Sequence, residues 1–408
     1  MGKLSRAVAD HSVAIALILG LARGAAATTS DPCLFVSVAN PAGQLEVVVI
    51  DTADGKRRQF PVAGLTSAIV PSASGKLLYG AFTTLNSRGC PTASGVKVMS
   101  ADTGETLRDI PLDAPGGAVA IAISPDGIRL YVGDNVASKL FVVNTATETV
   151  ERAVPLQNAG GFCPPGIDEG EPQPMGLAVS MDGRWVAATT AFCGFDCRGT
   201  VSLVDTTTNE IVQTVSLETL HAAFSTDSTK LFVTLRNFSR IRVIANPSGE
   251  IGEEISVRAA NLSIRADELY APSSRGIAVI SSVTNQVLRT IDVVAGEMVV
   301  ESERPRGYTR THSGILAVDL SSGSVVDEFE ISDSIGLSIG ACPFASRCFG
   351  DCNHSGGVTV DEIGVLISVA LGQLPQPSCT SVTAVDDVTV VEIVVAVINA
   401  LHGCPAAS

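Results

Sequence analysis

The chain has 408 residues, 46% of them hydrophobic and 17% charged, with a formal net charge of −15. That balance describes a well-buried globular protein with room for one large domain and a small one, not a disordered or fibrous chain. So negative a surface argues against nucleic acid and anionic membrane as partners and is compatible with binding cations.

Residues 1–27 read as a secretory signal. Lys3 and Arg6 form the basic start, Ser12 to Ala22 the apolar run, and Ala25-Ala26-Ala27 the small-residue cleavage site. The apolar run is too short to cross a bilayer and no other uncharged stretch approaches that length, so no membrane span is expected. The expected mature chain starts at Thr28 and is secreted, extracellular or held in the cell envelope or periplasm. Ten cysteines, all beyond the signal, agree with an oxidising compartment and disulfides.

Seven copies of one strand-turn-strand unit follow. They begin at Val47, Val96, Leu140, Val201, Ile241, Ile277 and Leu316, as in LFVVNTATETVERAVPL and VSLVDTTTNEIVQTVSL. Their equivalent turn positions are Asp51, Ser100, Asn144, Asp205, Ala245, Ser281 and Asp319. Six copies also have a preceding pair of strands. The clearest is Gly117 to Leu156, where Ser124-Pro125-Asp126-Gly127 forms a tight turn between AVAIAIS and RLYVGD. Four strands in about 40 residues make one propeller blade, and such a unit needs copies of itself to bury both faces. The expected fold class is mainly β: a seven-bladed β-propeller over residues 28–341, a linker at 342–347, and a small α-helical domain at 348–408.

The first copy is incomplete, because Leu34 to Val62 supplies only three strands. Its missing innermost strand reappears as Ile335 to Gly340, which matches Met175 to Ser180. The ring is therefore expected to close by pairing its two ends, with Cys33 and Cys342 at one turn in a closing disulfide. The alternative is that Cys33 pairs elsewhere.

Around Tyr131-Val132 and the VDTTTNEIVQTV hairpin the chain resembles the YVTN-type β-propeller repeats, over roughly residues 34 to 341. That resemblance implies the fold but no single activity, since surface, binding and enzymatic propellers share it. Loops that join second to third strands and blade to blade share one face. Those of Thr83 to Ser94, Gln157 to Gln173 and Ala191 to Gly199 read as enlarged, and they hold Cys90, Cys163, Cys193 and Cys197. In an exported protein these four cysteines favour disulfide staples over zinc. His221, Asn261 and Glu297, at the starts of successive innermost strands, face the channel mouth and form a candidate polar ligand site. The remaining charges Glu301, Glu303, Arg304 and Arg306 read as a solvated turn. No HExxH, GxSxG or phosphate-loop motif is present, so no catalytic residue is assigned.

After the propeller, Asp351 to Glu362 matches a 12-residue EF-hand loop. Asp351, Asn353 and Ser355 fall at positions 1, 3 and 5, Gly356 at the sharp turn, Gly357 at the main-chain ligand position, Thr359 at position 9 and Glu362 at the bidentate end. Hard oxygen ligands in this order point to Ca2+, and IGVLISVAL then reads as a helix. A second copy runs from Ser381 to Gly403. It places Ser381, Thr383 and Val385 at the ligand positions and Asp386 where glycine belongs, so it is expected to pack without calcium. The two units, rich in GDxN and VTVxEI, resemble a dockerin-type tandem repeat over residues 348 to 404. That family's partner-selecting pair is often Ser-Thr, whereas Val360-Asp361 and Val390-Val391 stand here, which argues against a cohesin-like partner. Cys348, Cys352, Cys379 and Cys404 flank the units, whose size suits disulfide support.

Three readings of function follow. The first is a secreted binding or scaffold propeller with a calcium-binding, dockerin-like module, recognising a surface protein or polysaccharide. The second is a propeller enzyme, lactonase-like or acting on a polysaccharide. The third is a structural envelope protein with no ligand.

Overall fold

Apolar runs such as KLFVVN and AVAIAI lack the polar alternation of a half-buried strand, as strands covered on both faces require. In the computed structural model these runs are inner strands of a ring of sheets. The structure describes residues 32–343 apart from 41–44, 54, 63–64, 87–90, 113–115, 135, 157–175, 194–196, 236–239 and 332–333, and it also describes 358–371 and 390–402.

Blade 1 contains β1 (Cys33–Ala39), β2 (Leu45–Asp51) and β3 (Arg57–Pro61). Blade 2 contains β4 (Leu65–Pro71), β5 (Leu77–Leu85), β6 (Pro91–Ser100) and β7 (Thr106–Pro111). Blade 3 contains β8 (Ala118–Ile123), β9 (Arg129–Asp134), β10 (Lys139–Asn144) and β11 (Thr149–Pro155). Blade 4 contains β12 (Gly176–Val179), β13 (Trp185–Cys193), β14 (Cys197–Asp205) and β15 (Glu210–Ser216). Blade 5 contains β16 (Thr219–Phe224), β17 (Lys230–Leu235), β18 (Ile241–Ala245) and β19 (Ile251–Ile255). Blade 6 contains β20 (Ser263–Arg265), β21 (Glu268–Ser273), β22 (Gly276–Ser281) and β23 (Val287–Ile291). Blade 7 contains β24 (Met298–Val300), β25 (Arg306–Arg310), β26 (Gly314–Asp319) and β27 (Val325–Glu330).

The last strand, β28 (Ser334–Gly340), completes blade 1 by pairing antiparallel with β1, with Leu337 opposite Val36 and Gly340 opposite Cys33. The innermost strand of each blade touches that of the next around the full circle, including β24 with β28 and β28 with β4. A Cys33–Cys342 disulfide joins the two ends, as the sequence predicts. The core is the layer between adjacent blades. Between blades 3 and 4, for example, Tyr131, Val142 and Val154 meet Val186, Ala188 and Val204. Outermost strands cover only one face, and TVERAVP of β11 leaves most of its side chains partly or fully exposed.

The turns explain much of the repeat. Asp51, Ser100, Asn144, Asp205, Ala245, Ser281 and Asp319 each end the third strand of a blade. Four residues later every blade holds a left-handed residue: Gly55, Gly104, Glu148, Asn209, Gly249, Asn285 and Gly323. Glycine and asparagine tolerate that conformation best, which accounts for six of the seven. The first residue of the turn caps it: Asp205 Oδ1 accepts the Thr207 N–H at 2.8 Å, and Asp319 Oδ1 accepts those of Ser321 and Ser322 at 3.0 and 2.7 Å.

The enlarged loops expected at Thr83 to Ser94 and Ala191 to Gly199 are instead mostly elongated hairpins. β5 and β6 stay paired out to Leu85 and Pro91, and β13 and β14 out to Cys193 and Cys197. Threonine and aromatic side chains favour extended backbone, and Thr84 and Thr92 link across the ladder at 3.0 Å. Gln157 to Gln173, Cys90 and Cys163 lie outside the described residues.

A separate compact unit begins at Phe344. Its described part is two helices, α1 (Val360–Ala370) and α2 (Val390–His402), whose buried residues Leu366 and Ala396 share one cluster with Ile363 and Ile393.

Candidate functional site

Several of the innermost strands are irregular where they begin. Register slips between Leu65 and Ile69 in β4, Ala118 and Ala120 in β8, and Thr219 and Ala222 in β16. A bulge re-aims the side chains it contains. In blade 5 it leaves Leu220 buried and His221 exposed at the channel mouth. Fully buried threonines on the second strands fasten these starts. Thr234 Oγ1 accepts the His221 N–H at 3.1 Å, Thr189 Oγ1 accepts that of Gly176 at 2.9 Å, and Thr309 Oγ1 donates to the Glu297 carbonyl at 3.1 Å.

The three residues singled out in the sequence have different surroundings. His221 lies within β16 and is exposed, but the protein walls around it displace part of its hydration and lower its pKa. Asn261 uses both ends of its amide on the next blade: Nδ2 donates to the Met298 carbonyl at 3.0 Å and Oδ1 accepts the Met298 N–H at 3.1 Å. It is thereby a bridge between blades 6 and 7, and no hydrogen bond joins it to His221 or Glu297 among the described residues. Glu297 directly precedes β24, and its carboxylate stands 4.0 Å from Arg310 Nε. Desolvation pushes the Glu297 pKa up to about 6, against the opposing pull of Arg310 and the Leu337 main-chain N–H. Arg310 in turn donates through Nη1 to the Ser334 carbonyl, so this pair also ties blade 7 to β28.

Glu297 therefore binds a proton more tightly in the folded chain than in the unfolded one. Its contribution favours folding below its ordinary value near 4.5 and is lost as pH rises through about 6. Glu297→Gln keeps the acceptor and removes the titration. Relative to wild type its melting temperature should gain between pH 4.5 and 6, and an unchanged difference across that window would contradict the assignment.

Among the described residues, no group of three His, Cys, Asp or Glu side chains is placed to hold a metal ion. Asp351, Asn353, Ser355 and Gly357 lie outside the described residues. Thr359 and Glu362 form a reciprocal cap on α1. The Thr359 N–H and hydroxyl each donate to Glu362 Oε2 at 2.8 Å, and the Glu362 N–H reaches Thr359 Oγ1 at 3.4 Å. The threonine-x-x-glutamate spacing carries that cap in the sequence. It holds the buried Glu362 carboxylate against the first turn of α1.

Of the charges from Glu301 to Arg306, Glu303 is exposed as expected, but Glu301 is not solvated. Glu301 is 5% exposed, takes two hydrogen bonds from Arg304 at 2.6 and 3.1 Å, and accepts the Tyr308 hydroxyl at 2.8 Å. Arg310, Arg258 and Arg275 also belong to the mouth face, and no motif in the sequence marks any of them.

These features define a seven-bladed β-propeller closed by pairing its first and last strands. No protein-family model matches the chain, and no curated protein does. Solved propellers resemble its fold. A provisionally assigned 6-phosphogluconolactonase of Bacteroides uniformis is 14% identical, with TM-score 0.54 over 76% of this chain and 100% of that one. One of Bacteroides fragilis is 12% identical, with TM-score 0.52 over 77% and 99%. Hydrazine synthase of Kuenenia stuttgartiensis is 14% identical, with TM-score 0.50 over 75% and 97%. Likeness at these identities extends to the fold alone.

Proposed function

We propose that this protein is an exported binding propeller. Its channel mouth recognises a surface polysaccharide or protein, and its C-terminal helix pair is a calcium-binding, dockerin-like attachment module. The observation that carries this reading is the one-sided polar arc of the mouth. His221, Glu297 and Arg310 offer hydrogen-bonding groups there. The YVTN-type repeats and the signal-like residues 1–27 agree with a secreted or envelope location.

Calcium enters through Asp351, Asn353, Ser355, Gly357, Thr359 and Glu362, an all-oxygen set suited to a hard cation. Bound there, the ion would cross-link the loop to the capped start of α1. With Val360-Asp361 and Val390-Val391 in place of the hydroxyl pair, a cohesin-like partner is not proposed.

The test is co-sedimentation of the full chain with native cell envelope, in calcium and in chelator. Retention in calcium should disappear in chelator and in Asp351→Asn/Glu362→Gln, and should weaken in His221→Ala/Glu297→Gln. Calcium should also raise the melting temperature of the helical signal. Melting unchanged by chelation would remove calcium from the reading, and absence of retention would remove the binding role.

Glu297 supports a second reading. A carboxyl that titrates near 6 in a channel mouth suits a general acid or base, as in a propeller hydrolase or lyase acting on a lactone or polysaccharide. Turnover of either substrate that vanishes in Glu297→Gln, with melting preserved, would replace the binding reading.

A further inference from the structure

On the face away from the mouth, several aspartates are engaged by turns. Strand 1 to 2 and strand 3 to 4 turns share one face, and their acids are turn caps. Asp126 and Asp227 accept the Ile128 and Thr229 N–H groups, and Asp51 and Asp205 accept those of Ala53 and Thr207. Hydrogen bonds from Ser124 and Ser225 hold the Asp126 and Asp227 carboxyls below the usual range. These four carboxylates are thus committed to turns on the face away from the mouth.

The mouth face of blades 6 and 7 is different. Arg258 in the connection from β19 to β20 and Arg275 in the turn from β21 to β22 are exposed, and neither guanidinium has a hydrogen-bond or ion-pair partner among the described residues. Main-chain bonds stitch their loops into one shelf. Ala260 N–H donates to Pro272 O at 2.7 Å, Ala295 N–H to Ser273 O at 3.1 Å, and Gly296 N–H to Arg310 O at 2.8 Å. Arg310 is thereby on the same shelf. The connection from β23 to β24 adds Asp292, the 64%-exposed Val294 and Glu297.

We propose that this shelf binds a uronic-acid polysaccharide. The arginine forks take the sugar carboxylates, Asp292 and Glu297 accept sugar hydroxyls, and Val294 lies under a ring face. The inference rests on the binding reading above and names the ligand class. Two exposed guanidinium groups on one shelf suit a polymer that repeats its carboxylate, and each fork can take a carboxylate bidentately. The interspersed carboxylates select against an acidic protein. Such a chain brings few hydroxyl donors, which leaves Asp292 and Glu297 unsatisfied, whereas each uronic-acid sugar brings hydroxyls that can serve both.

The experiment is calorimetric titration of the full chain with polygalacturonate fragments, neutral dextran of similar length, and polyglutamate. Polygalacturonate should bind and weaken as salt rises. Arg258→Glu/Arg275→Glu should weaken it by about tenfold or more, while Arg258→Gln/Arg275→Gln gives a smaller loss and unchanged melting, both positions being exposed. Binding of dextran or polyglutamate as strong as polygalacturonate would overturn the proposal. So would indifference to both arginine pairs. Envelope retention that survives any of these outcomes leaves the binding role standing and removes only the ligand class.

Discussion

Cys33→Ser/Cys342→Ser should lower the stability of the propeller by roughly 5 kcal/mol. The bond closes a loop with a sequence separation of 309, and in the chain-entropy account a loop that long restricts the unfolded chain strongly. The melting temperature should fall by on the order of 10 °C. The ring should still assemble, because β1 and β28 keep their ladder and Leu34, Val36 and Leu337 keep their shared core with Tyr308 and Phe329. Hydrogen exchange should then accelerate first in β1 and β28, and little between blades 3 and 4. Reductant should shift wild type by more than it shifts the double variant, since the other cysteines are common to both. Equal shifts would assign the stability to those other cysteines. A second contact guards the same point: a Cβ on Gly75 would sit 2.1 Å from the Ala341 carbonyl oxygen, directly before Cys342. Gly75 is also left-handed, with φ of 69°, so Gly75→Ala is strained twice over and should loosen the same seam.

The closure is legible in the sequence because Ile335 to Gly340 repeats the pattern of an innermost strand that the first copy lacks. Strand ends are legible for a similar reason, since one turn chemistry recurs at Asp51, Asp205 and Asp319. Loop length is not. Thr83 to Leu85 and Pro91 to Ser94 count as insertion when blades are aligned by their turns, yet continue the strands when read by propensity, and the ladder settles that conflict. The site is legible in part. The ring register points to His221, Asn261 and Glu297 near the starts of innermost strands, but register says nothing of partners, and the Asn261 amide is taken by the Met298 main chain. Arg258, Arg275 and Arg310 are isolated cations in the sequence, and only the loop-to-loop bonds bring them onto one shelf. The charge run at Glu301 looks solvated for the opposite reason: periodicity does not reveal that a tyrosine seven residues later turns its hydroxyl back to the acid.

That acid carries the second large expectation, a loss of about 3 kcal/mol in Glu301→Ala. Glu301 is buried and gives both oxygens to Arg304, whose own side chain remains 35% exposed. Water can therefore recover part of the guanidinium, which places the loss at the lower end of the range for breaking a buried pair. The Tyr308 hydroxyl is less fortunate. Its ring is fully buried, and desolvation foremost, with Glu301 adding to it, pushes its pKa up to about 12. Glu301→Gln keeps an acceptor for the hydroxyl and should lose less than the alanine variant. Tyr308→Phe removes the donor and the need for it together, and should cost about 1 kcal/mol. In the double variant Glu301→Ala/Tyr308→Phe the two losses should fall short of their sum, because each single change already breaks the same bond. Strict additivity by denaturant melts would mean that the hydroxyl bond contributes nothing. Tyr308 also packs in the core shared by blade 7 and blade 1, against Phe329 at 6.5 Å between ring centroids. Glu301→Ala should therefore weaken the same seam that the disulfide spans. Combined with Cys33→Ser/Cys342→Ser, it should release β28 before any other strand, whereas a loss spread evenly over all seven blades would place the Glu301 effect elsewhere.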